Sequence, residues 1–290
     1  MTRIIHITDL HFWHIVRNPL LLCNKRILGN LNLLLRRQHY VHQERAQSFI
    51  DLFPSLEADA LLIGGDLTTT ATEAEYRQAA VFVNTLAQFG IPVYMTAGNH
   101  DLYTFESKRQ QRFEKHFGNR LEKAGIPSLK FLPGGTPLLI VPTARPNLLS
   151  SRGHISNTQL QDTQTLLEQA PEGPLVVLAH YPVLSTPSHH SNYMRQLGNG
   201  ALLHRLLGDT SRPILYLAGH VHVFSHTRDP QFPNLEQITS SALFYEKQHH
   251  PGGFTEIVYT DGEVAVHPWQ YNNGWKRTPE SCDTTSAKSL

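Results

Sequence analysis

Residues 96–103 read Thr-Ala-Gly-Asn-His-Asp-Leu-Tyr and follow directly on the apolar run 91–95. Asn99, His100 and Asp101 place a neutral oxygen ligand, a titratable imidazole and a carboxylate side by side at what reads as a strand end. Strand ends are where a sheet presents side chains to a crevice. The pattern recurs along the chain. Asp9 and His11 end the run 3–10, Asp66 ends 59–66, His180 lies in 174–182, and His220 with His222 ends 214–222. Each feature alone has an ordinary reading. Gly98–Asn99 is a turn pair, Asp66 after two glycines suits a cap or turn, and His6, mid-strand, suits a satisfied core histidine. His189–His190 and His249–His250 sit among Ser, Pro and Gly and read as surface loop. Metal-compatible side chains at five strand ends are much harder to reconcile with ordinary turns. The 18 histidines against 24 acidic residues point the same way, since neutral imidazole is the commonest side-chain metal ligand.

In order, the chain carries D-x-H at Asp9 and His11, G-D at Gly65–Asp66, G-N-H-D at residues 98–101, a lone His180, and G-H-x-H at residues 219–222. This series resembles the calcineurin-like metallophosphoesterase superfamily, block by block, from residue 9 to residue 222. The resemblance implies an α/β fold with two β-sheets face to face and helices outside, a four-layer αββα sandwich with a dinuclear metal site at strand C-terminal ends. It implies that Asp9, His11 and His222 hold one divalent cation and Asn99, His180 and His220 a second, with Asp66 bridging them. Mixed oxygen and nitrogen ligation of this kind accepts Mn, Fe, Zn or Mg. Two such cations roughly 3.5–4 Å apart clamp phosphoryl oxygens and acidify a bound water to a bridging hydroxide nucleophile. His100 falls where the family places its catalytic imidazole, protonating or stabilising the leaving oxygen. Asp101 is then expected to accept a hydrogen bond from that ring and fix its tautomer.

The blocks and the G-N-H-D form are most similar to bacterial class III cyclic-nucleotide phosphodiesterases, which implies a phosphate-ester small molecule as substrate and a phosphodiesterase reaction. An alternative is a pyrophosphatase of a nucleotide-linked lipid, similar to UDP-2,3-diacylglucosamine hydrolases. A third class is the non-catalytic scaffold subunit of trafficking coats that reuses this fold. That reading expects a broken ligand set, whereas His100 and all seven ligand positions are filled here.

These side chains need strands to converge them. Runs 3–10, 59–66, 91–99, 138–144, 174–182 and 214–222 read as strands, alternating with amphipathic stretches 43–57, 73–89, 105–124, 156–170 and 193–207 that read as helices. Thr72 with Glu75 and Ser156 with Gln159 are capping-box patterns. After residue 235 the pattern becomes strand only, which suits the second sheet, and Asp261–Gly262 is a hairpin signal. Residues 1–270 read as one domain and 271–290 as a loose polar tail.

Two segments exceed the simplest form of the pattern. Residues 17–40 add a leucine-rich stretch, and between 17 and 45 the six basic residues Arg17, Lys25, Arg26, Arg36, Arg37 and Arg45 outnumber Glu44, a net +5. On a helical wheel Leu20, Ile27, Leu28, Leu31, Leu34 and Leu35 share one face opposite Lys25, Arg26, Arg36 and Arg37. Either the leucine stripe packs on the body with the basic face in solvent, or the segment is a lip that meets an acyl chain or a membrane surface. The loop 143–156 carries Arg145, Arg152 and His154, with Arg145 the candidate for a substrate phosphate.

The overall charge of +1 gives no field suited to nucleic acid, and sequence-specific nucleic-acid binding is not expected. Cys23 and Cys282 are too few for a disulfide framework and read as free thiols. No apolar run approaches the roughly 20 residues a spanning helix requires. The expected location is cytoplasmic, with peripheral contact at the inner face of the membrane through residues 17–40 as the one exception.

Overall fold

In the computed structural model, residues 1–16, 26–35, 37–120, 125–147, 150–186, 195–246, 250–260 and 263–279 are described. The amino-terminal half alternates β1 (Thr2–Ile7), α1 (Arg26–Leu35), α2 (Ala46–Leu52), β2 (Ala60–Ile63), α3 (Glu73–Ala87), β3 (Val93–Met95), α4 (Phe105–Arg109) and α5 (Arg112–Phe117). There follow β4 (Ser128–Phe131), β5 (Pro137–Ile140), β6 (Gly153–His154), α6 (Asn157–Gln169), β7 (Leu175–Leu178), β8 (Leu197–Gly198), α7 (Gly200–Gly208) and β9 (Ile214–Ala218). The carboxy-terminal part is strand only: β10 (Ser225–Arg228), β11 (Leu235–Thr239), β12 (Gly253–Thr260), β13 (Glu263–Tyr271) and β14 (Trp275–Arg277).

Two six-stranded sheets result, ordered β14-β13-β12-β1-β2-β3 and β10-β11-β9-β7-β5-β4. Strand alternation sorts the core. Ile4 and Leu62 meet Leu138, Val176, Leu178, Leu215 and Leu217 between the sheets. Ile5, Ile7, Leu61 and Ile63 turn outward onto Phe49, Tyr76, Phe82 and Phe113 of the helices. On the far side Leu139, Val177 and Tyr216 pack on Leu167, Leu203 and Leu207 of α6 and α7. Helix, sheet, sheet and helix therefore stack as four layers, as the resemblance implied. Both expected capping boxes form, and Thr104 with Ser107 adds a third.

Several local expectations are corrected. The all-strand carboxy terminus does not build the second sheet alone: β11 and β10 join it, while β12 pairs antiparallel with β1 and carries β13 and β14 into the first sheet. Nor is the polar tail loose from residue 271. Trp275–Arg277 extend the first sheet as an edge strand, and the Trp275 indole donates to Ser48. Residues 280–290, like Cys23, Cys282, His189 and His190, lie outside the described residues. The stretch 105–124 divides at Gln111, whose φ of 50° starts α5 afresh. The stretch 193–207 becomes helical only from Gly200, after the short strand β8.

The largest correction concerns the leucine-rich segment. Arg17, Leu20, Lys25 and Arg36 lie outside the described residues, but α1 itself has the reverse of the packed orientation. Among its described side chains, which do not include Leu28, Leu34 or Arg37, Ile27, Leu31 and Leu35 are 56%, 52% and 67% exposed, whereas Arg26 is 1% exposed. Asn30 is buried too, exchanging hydrogen bonds with both backbone polar groups of Val16. Arg26 and Asn30 face inward because they hydrogen-bond to backbone groups of the neighbouring loops.

Candidate metal centre

The parallel strands β1, β2 and β3 of one sheet, and β7 and β9 of the other, deliver their following loops to a common edge. Backbone bonds lace these loops together. Asp9 N donates to Gly65 O at 2.9 Å, His11 N to Asp66 O at 3.0 Å, and Gly219 N to His180 O at 3.0 Å. The strands stop earlier than their apolar runs suggested, because the polar residues after them leave extended geometry. Asp9, His11, Asp66, His220 and His222 all have positive φ, between 52° and 67°. Left-handed backbone is uncommon for residues other than glycine and costs of order 1 kcal/mol or more each, and it concentrates at functional sites. Close approach also demands two glycines. A Cβ on Gly98 would lie 2.1 Å from Asp66 Oδ1, and one on Gly219 would lie 2.6 Å from Asp9 Oδ2.

Every ligand position expected from the sequence comes to this edge. In one cluster His222 Nε2 lies 3.1 Å from both Asp9 Oδ1 and His11 Nε2. In the other, His180 Nε2 lies 3.2 Å from Asn99 Oδ1 and 3.4 Å from Asp66 Oδ2, with the His220 ring centred 5.2 Å from that of His180. Asp66 belongs to both sides: candidate ligand atoms within 4.8 Å of one another group it with His11 and His100, and also with His180 and His220.

The donor chemistry fits cations. His180 Nδ1 donates to Gly64 O at 2.7 Å and His220 Nε2 to Arg195 O at 3.0 Å, which fixes how each ring is turned toward the cluster. The paired Nε2 atoms of His11 and His222 can share at most one proton. Asp9 Oδ1 is buried against the His222 ring, 3.1 Å from Nε2. Burial pushes the Asp66 carboxyl upward, yet His180 and His100 hold it well below the usual carboxylate range. Burial likewise opposes ionisation of Asp9, and His222 overcomes it. For His180, burial favours the neutral ring, but Asp66 raises the pKa to about 9. Two buried, ionised carboxylates beside a ring that captures a proton to balance them form a well of negative potential. Divalent cations held by imidazole and carboxylate suit it.

His100 stands at the rim, half-buried. Its backbone N–H donates to Asp66 Oδ1 at 2.6 Å, and its ring is centred 4.9 Å from that of His11. The expected partnership with Asp101 is not formed. His100 Nδ1 donates instead to the carbonyl of Thr69 at 2.6 Å, and Tyr103 stacks on the ring at 5.5 Å and 15°. Asp101 points into the protein, where it accepts from Thr68 N, Thr68 Oγ1 and Gly98 N. Burial and the nearby Asp66 raise its pKa to about 7. Its role is to hold the loop, since the chain turning at Asn99 sends consecutive side chains in different directions.

Tyr181 was not anticipated. Fully buried, it packs tilted against the His220 ring, with centroids 4.2 Å apart, lies 3.1 Å from Asn99 Oδ1, and donates to the Ser151 carbonyl. Its position directly after His180 was the only available signal. Arg145 is exposed on the neighbouring loop and close enough to act electrostatically on Tyr181 and His154.

Comparison with known proteins agrees with this geometry. The family model described as calcineurin-like phosphoesterase matches residues 2–224. Among solved structures, the chain is similar to a dimetal phosphatase from Danio rerio, with 14% identity, a TM-score of 0.62 and 95% of each chain covered. It is also similar to the purple acid phosphatase PPD1 of yellow lupin, with 14% identity, a TM-score of 0.59, and 93% of this chain and 51% of that one covered. A third similarity is to a 5'-nucleotidase from Candida albicans, with 14% identity, a TM-score of 0.50, and 94% and 51% covered. At these identities the structures show a shared fold. No curated protein matches the chain.

Proposed function

The chain belongs to the calcineurin-like phosphoesterase family, and we propose that within it the protein is a phosphodiesterase in which His100 assists the leaving group. Membership makes it a metal-dependent phosphoester hydrolase. Divalent cations supply charge neutralisation and an acidified water for such a reaction. We assign Asp9, His11 and His222 to one cation, Asn99, His180 and His220 to the other, and Asp66 to both.

The observation that carries the proposal is the presentation of His100. His100 Nδ1 donates to Thr69 O and the ring groups with His11 and Asp66, so we assign Nε2, when it carries a proton, to the leaving oxygen. An alkoxide leaving from phosphorus needs a proton, and an imidazole near neutrality is the side chain suited to give it. We assign Arg145, on a neighbouring loop, to a non-bridging phosphate oxygen. The test is a substrate panel on metal-reconstituted protein: an aryl phosphodiester, a monoester, cyclic nucleotides and a nucleotide–lipid pyrophosphate. The expected result is the highest kcat/KM for a diester. A clear preference for the monoester overturns it.

A second reading, a pyrophosphatase of a nucleotide-linked lipid working at a membrane surface, is favoured by one observation. The exposed Ile27, Leu31 and Leu35 recur every four residues along one face of α1, in a segment whose sequence carries net +5. An apolar stripe within a basic segment suits an anionic bilayer. Vesicle co-sedimentation at low and high salt tests it. Adsorption to anionic vesicles that weakens with salt supports the reading, and no adsorption at low salt removes it.

A further inference from the structure

We infer that Arg26, on helix α1 and far from His100 in sequence, is a positioning residue for the His100 imidazole. The claim rests on the assignment of His100 above, and it follows from a continuous set of contacts. Arg26 Nε donates to Thr70 O at 3.1 Å and Nη2 to Ala71 O at 3.2 Å. The carbonyl one residue earlier, Thr69 O, is the one that holds His100 Nδ1. The segment 69–71 cannot hold itself, because Ala71 has a φ of 56° without being glycine, asparagine or aspartate. Charged side chains anchor it, beside the Thr69 hydroxyl, which donates to His11 O at 2.9 Å. Glu75, fully buried, accepts from Thr70 N at 2.9 Å and Thr72 N at 3.0 Å. Arg112 joins Arg26 on the Ala71 carbonyl at 2.8 Å. Glu106 bridges the two guanidinium groups, at 2.6 Å from Arg26 and 2.8 Å from Arg112. Charge-assisted bonds of this kind fix direction as well as distance.

Helix α1 also supports the other side of the ring. A Cβ on Gly29 would lie 2.8 Å from Thr70 Cγ2 and 2.8 Å from the hydroxyl of Tyr103, whose ring stacks on His100. One turn of α1 therefore bears on both the carbonyl that selects the His100 tautomer and the ring that sets its plane. This gives a physical reason for the inverted burial of the helix: its polar face is a clamp. Misplacing a reacting group by about 1 Å costs as much as 10²-fold in rate. Loss of the clamp should therefore lower kcat without emptying the metal site.

The test uses zinc-loaded protein with ¹⁵N-histidine and three variants: Arg26→Met, Arg26→Lys and Gly29→Ala. In the parent, at a pH that leaves the ring neutral, His100 should show a single Nδ1–H tautomer by imidazole ¹⁵N shifts, the ring protonated also at Nε2 being the form that gives up a proton. Arg26→Met should average the two tautomers and lower kcat about 10- to 100-fold for a phenyl or alkyl leaving group, with KM and metal content little changed. Arg26→Lys, able to reach one carbonyl but not two, should recover part of both signals. Gly29→Ala should shift the same ¹⁵N signals from the opposite side. If Arg26→Met does not fold, the double variant Arg26→Met/Glu106→Gln and Gly29→Ala carry the decision. Parent-like tautomer and kcat in folded Arg26 and Gly29 variants overturn the inference. The same rate loss for good and poor leaving groups on His100→Ala would overturn the leaving-group role of His100 instead, and the tautomer signal would still judge Arg26.

Discussion

Two buried polar regions of this protein lie side by side and obey opposite rules. At the strand ends, Asp9, Asp66, His11 and His180 are at most 1% exposed, yet imidazole and carboxylate atoms converge there in groups within 4.8 Å of one another. Under helix α1, Arg26 is equally buried, but each of its three side-chain nitrogens donates to an oxygen of the chain. Buried polar groups cost folding energy unless they are paired. The polar groups around α1 are satisfied within the chain, so the chain needs nothing else there. Those at the strand ends crowd ligand atoms onto one another, an arrangement that suits the cations of the family. Mutual satisfaction separates a structural polar cluster from a binding one more sharply than burial does.

Breaking the unsatisfied region should have the largest effect. Asp66→Ala removes the carboxylate common to both clusters, and the expected outcome is a fall from about two bound metals to fewer than one, with activity lost. Elemental analysis decides it, and full occupancy in the variant would dissolve the idea of a shared ligand. Next in size is His100→Ala. It should keep both metals and lose about 10²–10⁴ in kcat, less with a p-nitrophenyl leaving group, which scarcely needs a proton. Steady-state kinetics across leaving groups make that measurement.

His6 sharpens the comparison from between the two regions. Its Nδ1 lies 2.7 Å from Ser240 Oγ, while its buried Nε2 has no hydrogen-bond partner and faces Gly64 rather than another ligand. Burial lowers its pKa from 6.5 to about 3. The unfolded chain therefore takes up the proton first as pH falls. The stability this group contributes is complete above about pH 6.5 and is lost progressively toward pH 3, by up to about 1.4 kcal/mol per pH unit. Thermal unfolding between pH 7 and pH 5 should show a shallower slope for His6→Asn, and an unchanged slope would mean that His6 is not what titrates. The smallest effect is expected at the outward face of α1. Replacing Ile27, Leu31 and Leu35 with serine should change stability by no more than about 0.5 kcal/mol per site, because these side chains are already exposed. A large loss in chemical denaturation would show that the stripe is covered in solution.

The candidate site was legible before any fold, because short apolar runs ending in carboxylate, imidazole and amide side chains, in the order the family resemblance implies, marked both the sheets and a shared edge. The structure brings Asp9, His11, Asp66, Asn99, His180, His220 and His222 to that edge. What only the tertiary structure decided was direction. Sequence order makes Asp101 the neighbour of His100, but a turning backbone sends the two side chains apart, and a carbonyl 31 residues away takes the ring. A helical wheel divides α1 into an apolar and a basic face without saying which one meets the protein. The answer came from loop carbonyls at Thr70 and Ala71 that lacked partners, and from a guanidinium able to satisfy both. The apolar strands after residue 235 likewise could not choose their sheet, since the choice lay with the open edge of β1. Residue type carries its chemistry along the chain, whereas orientation depends on partners that are distant in sequence.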